Sequence, residues 1–350
     1  MTSTTIQEFI QEVVQTKGKP PYIIIYYEEQ LKDIIQFCSS NATHPSVLGI
    51  DRTFNLGACY VTTTVYHNTN LMRKESAMHP IMLGPVFLHW DGVFTTYHRF
   101  LSHLQCKLED SIVGSQMSGM NLVFGSDEEK ALTKAVKSVF PSLDLVLCMQ
   151  HISKNVSHHL IKIGVEISER RKIMDTVFGA TGLMACKEEY EYLKKAMELH
   201  EKYVNEVPTF ANYFRNLTDK LLENVVKSRN KNKWIPLDWK NNSYESLNNI
   251  LKLAVNWKTL KLPDLINRIN NIVKLQLCDI RRAIHETGNF KLAPWMAKFA
   301  VKHVNWVKKS EAEKENVYRN FMKGPKKLNS HICSTDGGRW KNAKTQKVRF

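Results

Sequence analysis

The sequence has no Cys-x-x-Cys pair, no secretory leader and no apolar run long enough to cross a membrane, and each absence narrows the field. Its seven cysteines, Cys38, Cys59, Cys106, Cys148, Cys186, Cys278 and Cys333, are odd in number and scattered. That spacing argues against a disulfide framework and for a reducing compartment. The longest N-terminal apolar run, Tyr22 to Tyr27, is far shorter than the ~20 residues that span a bilayer. An intracellular, soluble protein is therefore expected. No internal repeat or long low-complexity tract is present either.

What is present is positive charge, unevenly placed. The 350 residues carry a formal net charge of +15. Residues 1–150 hold 11 Lys/Arg against 14 Asp/Glu, and the remainder holds 38 against 20. A near-neutral first part joined to a strongly basic second part points to a polyanion, most simply nucleic acid. The alternative is a solubilising basic surface. A DNA partner would imply a nuclear address, for which the pairs Lys308–Lys309 and Lys326–Lys327 offer weak import signals. The length suits one large domain with an insertion, or two domains.

Periodicity predicts an amphipathic helix over residues 5–16, stopped by Gly18 to Pro21. A strand over Tyr22 to Tyr27, a helix from Glu28 to about Ser39 and a turn at Asn41 to Pro45 follow. Val47 to Asp51 reads as a buried strand ending in a carboxylate. Gly57 to Tyr66, rich in Thr, Val and Tyr, and Ile81 to His89 are two more strands, which suggests an antiparallel meander. Phe94 to Leu108 has helical spacing. Asn121 to Gly125 and Leu143 to Cys148 read as parallel strands joined by a helix over Glu128 to Phe140, with another helix starting near Gln150. The pattern describes a mixed sheet with helices on its faces. Residues 166–230 read as almost wholly helical, Asn230 to Asn242 as a polar loop, and Tyr244 to Val255 and Leu262 to Arg282 as helices. The basic tail from Lys323 is expected to be loosely ordered.

Two carboxylates fall where an α/β sheet displays ligands. Asp51 closes a strand, and Asp127 follows one and precedes a helix. For Asp127, helix capping is the bland alternative. For Glu245, it is an exposed residue favoured by the helix dipole. Cys148 and His151 are metal-ligand types at Cys-x-x-His spacing. Half of a zinc site is one reading, with His158, His159 and Cys186 nearest to supply the rest. The preferred reading is a buried Cys and a His supporting the active site, so zinc is possible but not expected. Trp234, Trp239 and Trp257 lie among Lys231, Lys233, Lys240 and Lys258, where they can stack on bases or pack the insertion onto the sheet. Arg52 can reach a phosphate or point to solvent.

Four segments in order carry a resemblance. V-L-G-I-D-R-T-F (Val47 to Phe54) and V-F-G-S-D-E-E-K-A-L-T-K-A-V-K-S-V-F-P (Val123 to Pro141) resemble the first two catalytic blocks of the Mutator-like element (MULE) transposases. L-C-M-Q-H-I-S-K-N-V (Leu147 to Val156) resembles their Cys-x-x-His signature, and N-N-S-Y-E-S-L-N-N-I-L-K (Asn241 to Lys252) their third block. The likeness covers roughly Pro45 to Leu260. It implies an α/β, RNase H-like fold: a mixed five-stranded sheet flanked by helices, with an all-helical insertion before the last catalytic helix and a helical C-terminal region. The expected parts are an N-terminal segment (1–44), a first core part (45–165), the insertion (166–240), the final catalytic helix (241–260), C-terminal helices (261–322) and the tail (323–350).

The resemblance further implies a DDE-type transposase that cleaves and transfers DNA strands. Asp51, Asp127 and Glu245 would hold two Mg²⁺ or Mn²⁺ ions, and His151 would act beside the scissile phosphate. Carboxylate oxygens suit such hard ions, and phosphodiester attack needs both nucleophile and leaving oxygen stabilised. Arg52, Lys231, Lys233, Trp234, Trp239 and Lys240 are candidate nucleic-acid contacts. DNA is the expected partner, transposon ends and target alike, with a homo-oligomer as the active form and neither membrane nor small-molecule substrate. Family members usually carry a zinc-containing DNA-recognition module before the core and often a Cys/His-rich SWIM module after it. Neither is visible, since His331 and Cys333 do not make the SWIM pattern. A domesticated, catalytically idle DNA-binding derivative is therefore the alternative, and a stand-alone nuclease a further one.

Overall fold

The computed structural model describes residues 7–40, 42–111, 122–236 and 239–324. The expected tail, from residue 325 on, lies outside them, as does Cys333. The chain is a mixed α/β protein built on a mostly antiparallel sheet of seven strands, in the order β1-β2-β6-β4-β3-β7-β8. These are β1 (Ile10–Val14), β2 (Tyr22–Ile25), β3 (Leu48–Thr53), β4 (Tyr60–His67), β6 (Ile81–His89), β7 (Val123–Ser126) and β8 (Asp144–Leu147). A two-stranded ribbon pairs β5 (Leu71–Arg73) with β9 (Phe290–Leu292).

The meander is as expected: β3 pairs antiparallel with β4, and β4 with β6. Beyond β3 the sheet turns parallel, β3 to β7 and β7 to β8. Two expectations need correction. Residues 10–14 form a strand and not part of a helix over 5–16. Phe9 is fully buried while Val13 is exposed, and residues 10–14 pair with β2 at the sheet edge. Edge pairing has overridden a helical spacing of apolar residues. The sheet therefore has seven strands and not five, because β1 and β2 extend it past β6.

Alternation along the strands sorts side chains between two layers. Tyr22, Ile24, Leu48, Ile50, Phe87 and Phe124 join the larger core. It includes α1 (Glu28–Cys38), α2 (Phe94–Asp110), α3 (Lys130–Val139) and α4 (Met149–Lys162). Ile23, Ile25, Val61, Val65, Val86 and Leu88 face the other way. There they meet Tyr244, Leu247 and Leu251 of α9 (Asn242–Ala254) and Leu265, Ile269 and Val273 of α10 (Leu262–Ile284). Those spacings of three and four residues put one apolar stripe of each helix on the sheet.

Between α4 and α9 the chain is helical: α5 (Ile167–Phe178), α6 (Glu189–Glu206), α7 (Pro208–Leu221), a π-helical segment (Leu222–Val226) and α8 (Lys227–Lys231). Two short helices, α11 (His303–Val307) and α12 (Glu311–Lys323), end the described chain. Among the described residues no helix is long and apolar enough to cross a membrane.

Candidate active site

Parallel pairing of β3 with β7 brings the two aspartates side by side. Ile50 is in register with Ser126, and Asp51 and Asp127 each follow by one residue. Asp51, expected to end or nearly end its strand, stands two residues before the end of β3, opposite Thr63 of β4. Asp127 does not cap α3. That helix starts at Lys130, and the residue preceding it is Glu129. The capping alternative is thereby set aside.

Burial, followed by the charge of Asp127, pushes the Asp51 carboxyl up to about 7. The Arg52 backbone N–H, donated to its Oδ1 at 2.7 Å, and His151 work in the opposite direction. Two carboxylates in one partly dry crevice resist ionising together. Asp127 has two partners of its own. The Asn241 side-chain amide donates to its Oδ1 at 3.1 Å, and His151 Nδ1 lies 2.9 Å from the same oxygen. The His151 contact is an ion pair off the ring's N–H direction, since Nδ1 has no directed hydrogen-bond partner. Asp127, then Cys148, raises His151 to about 10 against the opposing effect of burial. At neutral pH the ring is thus an imidazolium. Burial raises the Cys148 thiol, but contacts with His151 and the Asn241 N–H outweigh it and the net shift is downward.

The loop before α9 is tied to the start of α4. Asn241 N–H donates to Cys148 Sγ at 3.2 Å, and Met149 N–H to the Trp239 carbonyl at 3.3 Å. Two glycines permit the close approach. A Cβ on Gly49 would stand 2.0 Å from the Tyr244 ring, and one on Gly125 would stand 2.3 Å from the Trp239 ring. Because alternate residues of β3 share a face, Gly49 and Asp51 both point toward α9. That helix therefore lies on the aspartate side of the sheet. Glu245 sits on its first turn, exposed, beside a cavity of about 1030 Å³ also lined by Gln150, Lys154, Lys240 and Asn249. The structure thus brings Asp51, Asp127, Cys148 and His151 together and puts Glu245 on the wall of the adjoining cavity.

Other candidates find protein partners. Arg52 does not simply point to solvent. It lies 3.3 Å from Glu129, with its guanidinium 4.9 Å from the Phe54 and Tyr60 ring centroids. Trp234 and Trp239 are partly buried against Val123, Val146 and Ile235, which favours packing over base stacking. Trp257 is 63 % exposed, under Lys252. Lys231 pairs with Asp144 at 3.0 Å, and Lys233 and Lys240 are exposed. The residues named to complete a zinc site do not do so among the described residues: His159 stacks on Tyr213, and neither His158 nor Cys186 joins a metal-ligand group. Gly49, Asn241 and Tyr244 were not among the expected site residues. A glycine inside a strand is the one signal that could have marked the first, since it often records close approach of another group.

No protein-family model matches the chain, and no curated protein matches it.

Proposed function

We propose that the chain is the catalytic core of a DDE-type DNA transposase of the Mutator-like class, with Asp51, Asp127 and Glu245 as the metal-binding carboxylates. The observation that carries this reading is the pair of adjacent aspartates on neighbouring parallel strands, Asp51 held back from ionising by burial and then by Asp127, with α9 docked on the same face. The strand order β6-β4-β3-β7-β8, three antiparallel strands followed by two parallel ones, supports an RNase H-like core within the larger sheet.

The donor set fits hard divalent ions. Two carboxylates share one face of neighbouring strands, and the buried Thr63 Oγ1, opposite Asp51, and Asn241 Oδ1 have no hydrogen-bond partner. Mg²⁺ or Mn²⁺ bound there would supply charge neutralisation and an activated water oxygen. Asp51 and Asp127 would hold the ions from the strands, with Asn241 orienting Asp127 and Glu245 contributing from the first turn of α9. His151 would pair with a phosphate oxygen. Water would attack a strand phosphodiester, breaking its P–O3′ bond to leave a 3′-OH and a 5′-phosphate, and that 3′-OH would attack a target phosphodiester as the target's own 3′-oxygen leaves. Lys154 and Lys240 beside the rim, and the cluster of Lys130, Lys134 and Lys137, would supply positive charge for the DNA backbone, while Lys220 beside them pairs with Glu128. DNA as partner, a homo-oligomeric active form and a nuclear location belong to the same reading.

Calorimetric titration of the purified chain with Mn²⁺ tests it. Binding that disappears in Asp51→Ala is expected, and an Asp51→Ala variant that binds like the wild type would sink the proposal. A strand-transfer assay with a pre-cut 3′-OH end then separates a transposase from a nuclease, which gives hydrolysis products only. The idle DNA-binding derivative is the second reading. It is favoured by the exposure of the Glu245 side chain at the cavity wall.

A further inference from the structure

The Cys-x-x-His pair gains a third donor in space. Sγ of Cys148, a ring nitrogen of His151 and a carboxylate oxygen of Asp127 all lie within 4.8 Å of one another, and no other such group of three occurs among the described residues. We propose that these three side chains form a second metal site, for a borderline-soft cation of the Zn²⁺ class, and that its occupation withdraws Asp127 from the hard-ion site. The switching half of this proposal rests on the function proposed above, whereas the metal site itself does not.

The donor set decides the class of ion. Thiolate and neutral imidazole favour Zn²⁺ over Mg²⁺ or Mn²⁺, the ion displacing the His151 and Cys148 protons to solvent, and three protein ligands with one open position make a common zinc geometry. The scaffold is already ordered. Cys148 is the N-cap of α4 and His151 lies in its first turn, which brings both to one helix end. Cys148 N–H donates to the Ser126 carbonyl at 3.0 Å, immediately before Asp127 in the chain. Asn241 holds the group from outside, through its amide to Asp127 Oδ1 and its backbone N–H to Cys148 Sγ. Such outer contacts orient ligands in metal sites. His151 Nδ1 is buried and lacks a directed partner, as does Asn241 Oδ1. Asp51 lies outside the group, so a soft ion here takes only the shared carboxylate. Its charge and its hold on Asp127 then oppose a hard ion beside Asp51.

The test uses the full, reduced chain and Co²⁺ as a spectroscopic stand-in for Zn²⁺. A thiolate-to-cobalt charge-transfer band is expected at one equivalent, bleached by Zn²⁺ and absent in Cys148→Ser. His151→Gln, at a half-exposed position, carries the same expectation if the cysteine variant does not fold. One equivalent of Zn²⁺ should weaken Mn²⁺ binding by about tenfold or more in the wild type and leave it unchanged in Cys148→Ser. A band that survives in both variants would overturn the site. Unaltered Mn²⁺ affinity in zinc-loaded protein would overturn the switch. A wild type that binds Co²⁺ with the band but takes up no Mn²⁺ would remove the hard-ion reading and the switch together while upholding the site.

Discussion

Replacing Asp51 by Asn should make the metal-free protein more stable at alkaline pH, even though it removes a residue assigned to the active site. The carboxyl is pushed up to about 7 by burial first and by Asp127 second. In an unfolded chain it would titrate near ~3.9. Between those values the folded protein holds the proton more tightly than the unfolded chain does. Raising the pH through that window therefore lowers stability, and above about 7 the whole penalty is present. A gap of about three pK units sets a ceiling of ~4 kcal/mol. Local rearrangement and water entry reduce this, so ~1–2 kcal/mol is a realistic gain for Asp51→Asn, or a few degrees in melting temperature. Thermal melts with a chelator at about pH 5 and about pH 8 read the effect, and the advantage of the variant should grow with pH. Adding Mn²⁺ should reverse the ranking, because an ion at a hundred times its Kd stabilises the wild type by ~2.7 kcal/mol. A variant that melts below the wild type at about pH 8 without metal, or that responds equally to Mn²⁺, would refute the reasoning.

Gly49→Ala should push α9 off the sheet, since its Cβ would stand 2.0 Å from the Tyr244 ring; a loss of ~1–3 kcal/mol in urea melts, with weaker Mn²⁺ binding, is expected. Glu245→Gln should leave the melt within ~0.5 kcal/mol of the wild type, because the side chain is exposed, while calorimetry shows the Mn²⁺ stoichiometry falling from two to one. Arg229→Ala should cost about 2–4 kcal/mol in the same urea melts, because its buried guanidinium donates to the carbonyls of Met184 and Cys186 at 3.3 and 2.9 Å.

The parts of the fold that were legible in the sequence are those where one physical signal dominates. Ile81 to His89 is an unbroken apolar run, and it is a strand over those same residues, buried along nearly its whole length. Phe100, Leu101, Leu104 and Leu108 share a helical stripe and are all buried. The N-terminus was misread because its apolar spacing also suits a helix, and only the presence of β2 as a partner decides the matter. Register was equally hidden. That Asp51 stands inside β3, and that Glu129 and not Asp127 precedes α3, depend on which residues the neighbouring strands and helices engage. The candidate site shows the same division. Cys148 and His151 are recognisable at their spacing, but the aspartate beside them comes from another strand end, more than twenty positions earlier in the chain.

The helical insertion raises a physical question: how can α9 be placed accurately when 118 residues separate Asp127 from Glu245? The contacts at the point of return supply an answer. Trp239 fills the space that a side chain at position 125 would occupy, its carbonyl accepts from the first helical N–H of α4, and Asn241 reaches both Cys148 and Asp127. Two positions, 239 and 241, thus tie the returning chain to the same elements that carry Asp127, Cys148 and His151. Tyr244 then seats α9 against Gly49, on the face to which Asp51 points. This local stitching is joined by contacts from the insertion itself, Lys220 with Glu128 and Ser228 with the Leu145 carbonyl, so both fix the site. The one group left outside the stitching is Glu245, whose side chain starts one helical turn past Asn241 and faces the cavity.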